Sequence, residues 1–180
     1  MERISDFFAP SLKRVRNAFV HSGPVVNSFP KDHVRTQLAG GIILTVPLAG
    51  GNSLLKHRDI DLNHVMISQH GDWQHRHLGA WQAIYGKSPY FPHLMPLIQE
   101  VYLEHSHGTF PEFSRSLYAI VTDFLDLDAI RRSSERLIIN REYSSRLADI
   151  REETLQKCNI DLSIFDPLFR IGKNTVYLLI

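Results

Sequence analysis

The stretch from Asp72 to Phe91 constrains the fold more than any other part of the chain. Trp73, His77, Ala80, Trp81 and Ile84 recur at i, i+4, i+7, i+8 and i+11, which is the spacing of one helical face. Asp72 stands ahead of them as an N-cap. Gly86 and then Ser88-Pro89 end the helix, because the residue before a proline is pushed out of the helical region. Tyr90 and Phe91 follow just past that end. The spacing therefore predicts an amphipathic helix with one histidine inside an aromatic stripe. Two readings of His77 follow. Aromatics at helical spacing are usually packing, and His77 is then a hydrogen-bonded core histidine. Alternatively His77 is an acid, a base or a ligand-orienting group, since burial between two indoles disfavours the charged imidazole and leaves a neutral ring able to accept a proton. Periodicity fits both.

The 180 residues fit one domain, and an apolar fraction of 43% with 22% charged residues supports a sizeable core. The formal net charge of +1 gives no global basic field, so nucleic acid is not an expected partner. The single cysteine, Cys158, offers neither an intramolecular disulfide nor a cysteine metal cluster, which suits a reducing compartment. No apolar run reaches the length of a membrane span or a signal-peptide core, and a cytoplasmic location is the expectation.

Before the helix, Gly40-Gly41 separates the run from His33 to Leu38 from the run from Ile42 to Leu48, so two strands joined by a tight turn are expected near residues 33–48. Arg35 and Gln37 alternate with Val34, Thr36 and Leu38, which puts Arg35 on the face opposite the apolar set. An arginine fixed on a strand presents two donors to a carboxylate or phosphate, although a surface ion pair is the commoner use. Lys13, Arg14 and Arg16 form a basic group that reads as solvated, with phosphate binding as its functional alternative. Phe19-Val20 and Val25-Val26 are candidate short strands. The loop from Ala49 to Ser53 has no Gly-x-x-x-x-Gly-Lys and no Gly-x-Gly-x-x-Gly pattern, so it is a plain loop by motif.

After Phe91, two packing helices are readable. Leu94, Leu97, Ile98, Val101 and Tyr102 form one stripe, with Pro92 or Pro96 in its first turn and Gly108 closing it. Phe113, Leu117, Ile120, Val121 and Phe124 form the next after Pro111. Residues 129–139 read as a strand, with Ser133 and Ser134 as ligand contacts or an N-cap, and 141–157 as a charged helix. A short helix is expected between Asp161 and Gly172, in which Asp166 sits among Ile164, Phe165, Leu168 and Phe169 and needs a partner. His75 with His77 and His105 with His107 are i, i+2 pairs that diverge on a helix, and no His-Glu-x-x-His completes them, so no metal is expected. The fold class is mixed α/β (α+β), a small sheet packed by helices of the second half.

The ordered set Leu44 to Gly51, Asp72-Trp73 with His77 and Tyr85, Ser88 to Phe91, Arg132 to Glu135, and Leu162 to Phe169 with Gly172 resembles the WbqC-like family over roughly residues 30 to 175. The resemblance implies a single WbqC-like domain and a bacterial role in surface-polysaccharide (O-antigen-type) biosynthesis, as a transferase moving an amino-acid or acyl group onto an activated sugar. It marks Arg35, Trp73, His77, Tyr85, Tyr90, Phe91, Ser133, Ser134, Ser163 and Asp166. On that basis His77 is the expected general base and Asp166 its orienting group or acid. Arg35 would neutralise an anion, and Trp73, Tyr85, Tyr90, Ser133 and Ser134 would contact substrate. The partners are then an activated sugar and an acyl or amino-acid donor; the residues name no cofactor.

The chain departs from the family pattern in three places. Phe7 to Pro10 stands where members carry Gln-Pro-Asn-Tyr-x-Pro, so the N-terminal part reads as atypical and shortened. His33-Val34-Arg35 replaces Arg-Asn-Arg, and Asp161 replaces an asparagine. A non-catalytic binding or assembly protein, with the stripe as core and the arginines on an anionic ligand, is the alternative from a different class. A metal hydrolase would require a metal.

Overall fold

The computed structural model describes residues 8–15, 34–51, 64–104, 106–127, 159 and 161–179. Ser133 and Ser134, the elements expected across 129–157, the short strands near 19–26, the second histidine pair as a pair, Arg16 and Cys158 lie outside the described residues. Helices and a two-stranded antiparallel sheet make up the rest, the mixed class expected from the sequence.

Strands β1 (Arg35–Gln37) and β2 (Ile43–Thr45) pair with Arg35 opposite Thr45, Thr36 opposite Leu44 and Gln37 opposite Ile43. The turn between them holds Gly40 and Gly41 at φ of 75° and 77°, a left-handed backbone that glycine adopts without steric cost. The period of two sorts the faces: Arg35, Gln37, Ile43 and Thr45 point to solvent, while Thr36 and Leu44 point inward. The buried Thr36 hydroxyl donates to the Ala9 carbonyl at 2.7 Å. The segment around Ser163 is stitched between this hairpin and the N-terminal segment. Ser163 N–H donates to the Gln37 carbonyl at 2.8 Å, Ile164 N–H to Pro10 at 2.8 Å, and Leu12 N–H to Leu162 at 3.0 Å. Those bonds bring Ser11 and Arg14 beside β1 although the two stretches are far apart in sequence.

Helix α1 (Trp73–Tyr85) packs on α2 (Phe91–Glu104) and α4 (Phe165–Ile171), and α2 packs on α3 (Phe110–Leu125). A terminal 3-10 helix, Gly172–Leu178, closes over α3 and α4. Leu94, Ile98 and Tyr102 of α2, Phe113, Leu117 and Val121 of α3, Phe165 and Phe169 of α4, and Phe8 and Leu12 from the N-terminal side form one buried cluster with the hairpin's Leu38, Leu44 and Val46. The inner row of α1 is Trp73, His77, Trp81 and Tyr85. Ala80 and Ile84 are only half-buried, so the face is turned slightly from the expected stripe and Tyr85 takes the place of Ile84. Leu97 is likewise exposed on α2, and Pro96 lies on that helix's solvent side, where its lost N–H leaves a carbonyl that water can satisfy.

Side-chain capping is fully realised on α3 but not on α1 or α4. Thr109 and Glu112 form a reciprocal capping box on α3, with Thr109 N–H donating to the Glu112 carboxylate at 3.0 Å and Glu112 N–H to the Thr109 hydroxyl at 3.3 Å. Asp72 does occupy the N-cap of α1, but its carboxylate bonds the exposed His75 ring at 2.7 Å instead of a helix N–H. Among the described residues no helix is long and apolar enough to cross a membrane.

Gly172 ends α4 at φ 59° and ψ −131°, and a Cβ built there falls inside the Tyr90 ring. Gly172→Ala is expected to destabilise the protein by about 3 kcal/mol, combining overpacking with backbone strain of roughly 1–3 kcal/mol each. Urea unfolding measures it, and a loss below about 0.5 kcal/mol, the scale of an ordinary surface substitution, would remove the steric account.

Candidate functional site

His77 is 5% exposed and sits in an aromatic box. Phe8 stacks on it at 5.6 Å, while Trp73 and Tyr102 meet it edge-on at 5.1 and 5.9 Å. Nδ1 lies 3.1 Å from the Tyr102 hydroxyl, and the ring also hydrogen-bonds the main chain of Thr45. That second bond favours the charged ring, as a carbonyl acceptor does, so the nitrogen facing Thr45 carries the proton. In the tautomer that donates to Thr45 from the other nitrogen, Nδ1 is the acceptor. Burial pushes the Tyr102 hydroxyl well above its ordinary pKa, which keeps its proton available to donate to Nδ1, and its oxygen in turn accepts from Trp81 Nε1–H at 3.5 Å. The chain Trp81, Tyr102, His77, Thr45 therefore satisfies the ring on both sides in its neutral form. Burial, aided by the charge of Arg76, lowers the His77 pKa to about 4 against the carbonyl's opposing pull.

One turn further along α1 from Trp81, Tyr85 makes the second polar contact of the row. Its hydroxyl accepts from Ala39 N–H at 3.3 Å and donates to the Asp166 carboxylate; burial first, then Asp166, pushes its pKa up. Asp166, with its side chain 3% exposed, also accepts from Arg170 Nε at 3.1 Å. Arg170 in turn lies 5.8 Å from the centre of the Tyr85 ring. The carboxylate that the sequence left among apolar neighbours is thus paired twice within the fold.

The expected substrate contacts divide between interior and surface. Trp73 is buried, with its indole N–H donating to the Ser68 carbonyl at 3.2 Å. Tyr85 stacks on Phe169 at 4.7 Å, and Tyr90 is half-buried, edge-on to Phe124 at 6.2 Å and covered by Gly172. Arg35 alone of the described set reaches open space. It lines a surface groove of about 230 Å³ with Pro10, Ser11, Arg14, Thr36, Gln37, Ile43 and Asp161. Neither His77 nor Asp166 lines that groove. Arg14 of the basic group joins Arg35 here, and Asp161 stands at the rim, 3.8 Å from Lys13 Nζ. The residues are therefore gathered in two places: a buried row on α1 running to α4, and an arginine-bearing groove on the outer face of the hairpin. Arg14 had a signal in the sequence, but its convergence with Arg35 depends on the main-chain bonds through Ser163. Among the described residues no group of three or more His, Cys, Asp or Glu side chains is placed to hold a metal.

Comparison with known proteins adds one match. The sequence profile described as the WbqC-like protein family matches residues 30–161, a span that contains Arg35, Trp73, His77, Tyr85, Tyr90, Ser133 and Ser134 and ends before Asp166. No curated protein and no solved structure matches.

The titration of His77 tests the buried arrangement. Its ring should titrate at about 4 by proton–carbon NMR, against an ordinary 6.5. Between those values the unfolded chain binds a proton that the native ring refuses, so stability declines as pH falls through that window and levels off below it. His77→Gln should flatten that part of the stability profile relative to the parent protein. A ring titrating above 6 would mean that water reaches it.

Proposed function

The chain belongs to the WbqC-like protein family, and on that premise we propose that it binds the phosphate-bearing end of an activated sugar in the groove at Arg35, in a binding or assembly role in surface-polysaccharide biosynthesis. The observation that carries this reading is that Arg14 and Arg35, from two separate stretches, line one open groove. Guanidinium groups offer planar pairs of donors that match phosphate oxygens, and they keep their charge at any physiological pH. The rest of the lining suits the sugar. Asp161 and Gln37 accept hydroxyl protons, and Pro10 and Ile43 give apolar surface to a ring face. At about 230 Å³ the groove is smaller than the roughly 300–1,000 Å³ of a site that encloses a drug-sized ligand, so it seats one end of a nucleotide sugar and leaves the other in solvent.

The family resemblance also implies acyl or aminoacyl transfer, with His77 as base and Asp166 as its partner. The neutral ring of His77 is the observation in its favour, because a neutral imidazole is the form that accepts a proton. The binding reading stands ahead of it: the His77 ring is already engaged by Tyr102 at Nδ1 and by the main chain of Thr45, and Asp166 is paired with Arg170 and Tyr85. Transfer by His77 requires the box of Phe8, Trp73 and Tyr102 to part around it.

Calorimetric titration with UDP-glucose and with pyrophosphate tests the binding reading. Arg35→Ala should weaken both by about tenfold, on the order of 1.4 kcal/mol, as expected for a charge-assisted bond at an open site, and affinity should fall as salt is raised. Equal binding by the parent protein and Arg35→Ala, or no binding by either, would exclude it. Transfer of a labelled acyl group by the parent protein, lost in His77→Ala with UDP-glucose affinity kept, would put the transferase reading first.

A further inference from the structure

The ring of His77 touches the supports of both walls of the groove without lining it. On one side it hydrogen-bonds the main chain of Thr45, and Thr45 is the residue paired directly across the hairpin from Arg35. On the other it stacks against Phe8, two residues before Pro10 and on the segment that leads through Ser11 to Arg14. Thr45 and Phe8 belong to two short pieces of chain whose buried side chains, Leu38, Leu44 and Val46 on the hairpin and Phe8 and Leu12 on the N-terminal segment, join the common core. β1 and β2 are three residues each, and a two-stranded hairpin of that length is not stable in isolation. Beside that apolar packing, polar bonds fix where the hairpin sits: Tyr85 to Ala39 at the turn, Ser163 to Gln37 and Thr36 to Ala9 along β1, and His77 to Thr45 on β2. Among these, the bond to Thr45 is the one made to the residue opposite Arg35.

We infer that His77 is a positioning residue for the anion-binding groove: it holds β2 through the Thr45 carbonyl and the N-terminal segment through Phe8, and so fixes the spacing of Arg35 and Arg14. This rests on the proposed binding of an anionic sugar at that groove. It explains why a histidine occupies the second place in a row whose other members are Trp73, Trp81 and Tyr85. Only a side chain that is flat, donates from one edge and accepts on another can stack on Phe8, bond a carbonyl and take the Tyr102 proton at once. A misplacement of one guanidinium by about 1 Å is enough to lose a bidentate phosphate contact, because hydrogen bonds weaken steeply away from their preferred distance and angle.

The inference separates from the binding reading because the hairpin can be examined without ligand. Three proteins are compared with the parent: His77→Leu, which removes both ring bonds; His77→Gln, whose amide can still donate to Thr45 and accept from Tyr102; and Leu125→Ala, a core change on α3 chosen as a control for lost stability. Amide hydrogen exchange is followed at Leu38 and Val46, whose N–H groups bond Ile42 and Val34 across the hairpin, and at helix α2. Affinity for pyrophosphate is measured by calorimetry below the unfolding range of every variant. His77→Leu should speed hairpin exchange at least tenfold more than α2 exchange and weaken pyrophosphate binding about tenfold. His77→Gln should stay within about threefold of the parent in both readings, and Leu125→Ala should leave the ratio of hairpin to α2 exchange unchanged.

Uniform acceleration of exchange in His77→Leu, matching Leu125→Ala, overturns the inference, because His77 would then be ordinary core. Should His77→Leu not fold, His77→Gln carries the decision against the milder Tyr102→Phe, which removes one ring partner and leaves Thr45 in place; both must keep hairpin protection for the inference to stand. Selective loss of hairpin protection with no pyrophosphate binding by the parent protein supports the positioning of the hairpin and rejects the anion site.

Discussion

The hairpin that carries Arg35 meets the body of the protein in part through the way α1 satisfies its buried polar atoms. A helix face that carries Trp73, His77, Trp81 and Tyr85 puts an imidazole, two indole N–H groups and a phenol into or beside the core, where an unpaired polar group costs on the order of 1–3 kcal/mol. Their partners are main-chain groups of Ser68, Thr45 and Ala39, together with Tyr102 and Asp166. Two of those main-chain partners lie at the hairpin, Ala39 by the turn and Thr45 at the end of β2. Helix and hairpin therefore meet through bonds that neither element makes alone.

The same row extends through Tyr85 to α4. Asp166 and Arg170 stand one turn apart, so the carboxylate is paired within its own helix, and Tyr85 adds a donor from α1. The pair is buried on the acid's side and half-exposed on the arginine's. A charge held in that way marks a join between α1 and α4, which also meet through Trp81 against Phe165 and Tyr85 against Phe169. His77 and Asp166, which the resemblance read as a catalytic pair, are thus hydrogen-bonded inside the fold, while Arg14 and Arg35 line the surface groove. That groove gathers two guanidinium groups, one carboxylate and a small apolar floor, and the charged end of a sugar is the ligand we propose for it.

Much of the fold was legible because its signals are local. Period-two alternation around Gly40-Gly41 and the i, i+4 row after Asp72 are set by backbone geometry within a few residues, and the structure follows both. The same holds for the helix after Pro111 and for the stop at Gly172. Where the structure departs, a neighbour decided. Tyr85 replaces Ile84 on the inner face because its hydroxyl has Ala39 and Asp166 to bond, and the Asp72 carboxylate turns to His75, three residues on, instead of to a helix N–H. The site was legible only in its parts: Arg35 was correctly placed on the solvent face, and Arg14 belonged to a basic group, yet nothing in the order of residues joins them.

Among the described residues, the sequence by itself determined the hairpin near 33–48, the helices after Asp72, Phe91, Pro111 and Asp161, and the solvent face of Arg35, and the chain belongs to the WbqC-like family by a match over residues 30–161. These rest on periodicity, on capping and turn chemistry, and on an ordered set of short motifs. Tertiary structure alone decided that His77 and Asp166 are enclosed and that Arg14 and Arg35 meet. Enclosure depends on what packs from elsewhere: Phe8 on the ring of His77, Tyr85 and Arg170 on the carboxylate of Asp166. The meeting of the arginines depends on Ser163, Ile164 and Leu162 bonding backbone to backbone between the two stretches. Main-chain bonds carry no side-chain signature, so a sequence does not announce them, and here they decide where charge reaches the surface.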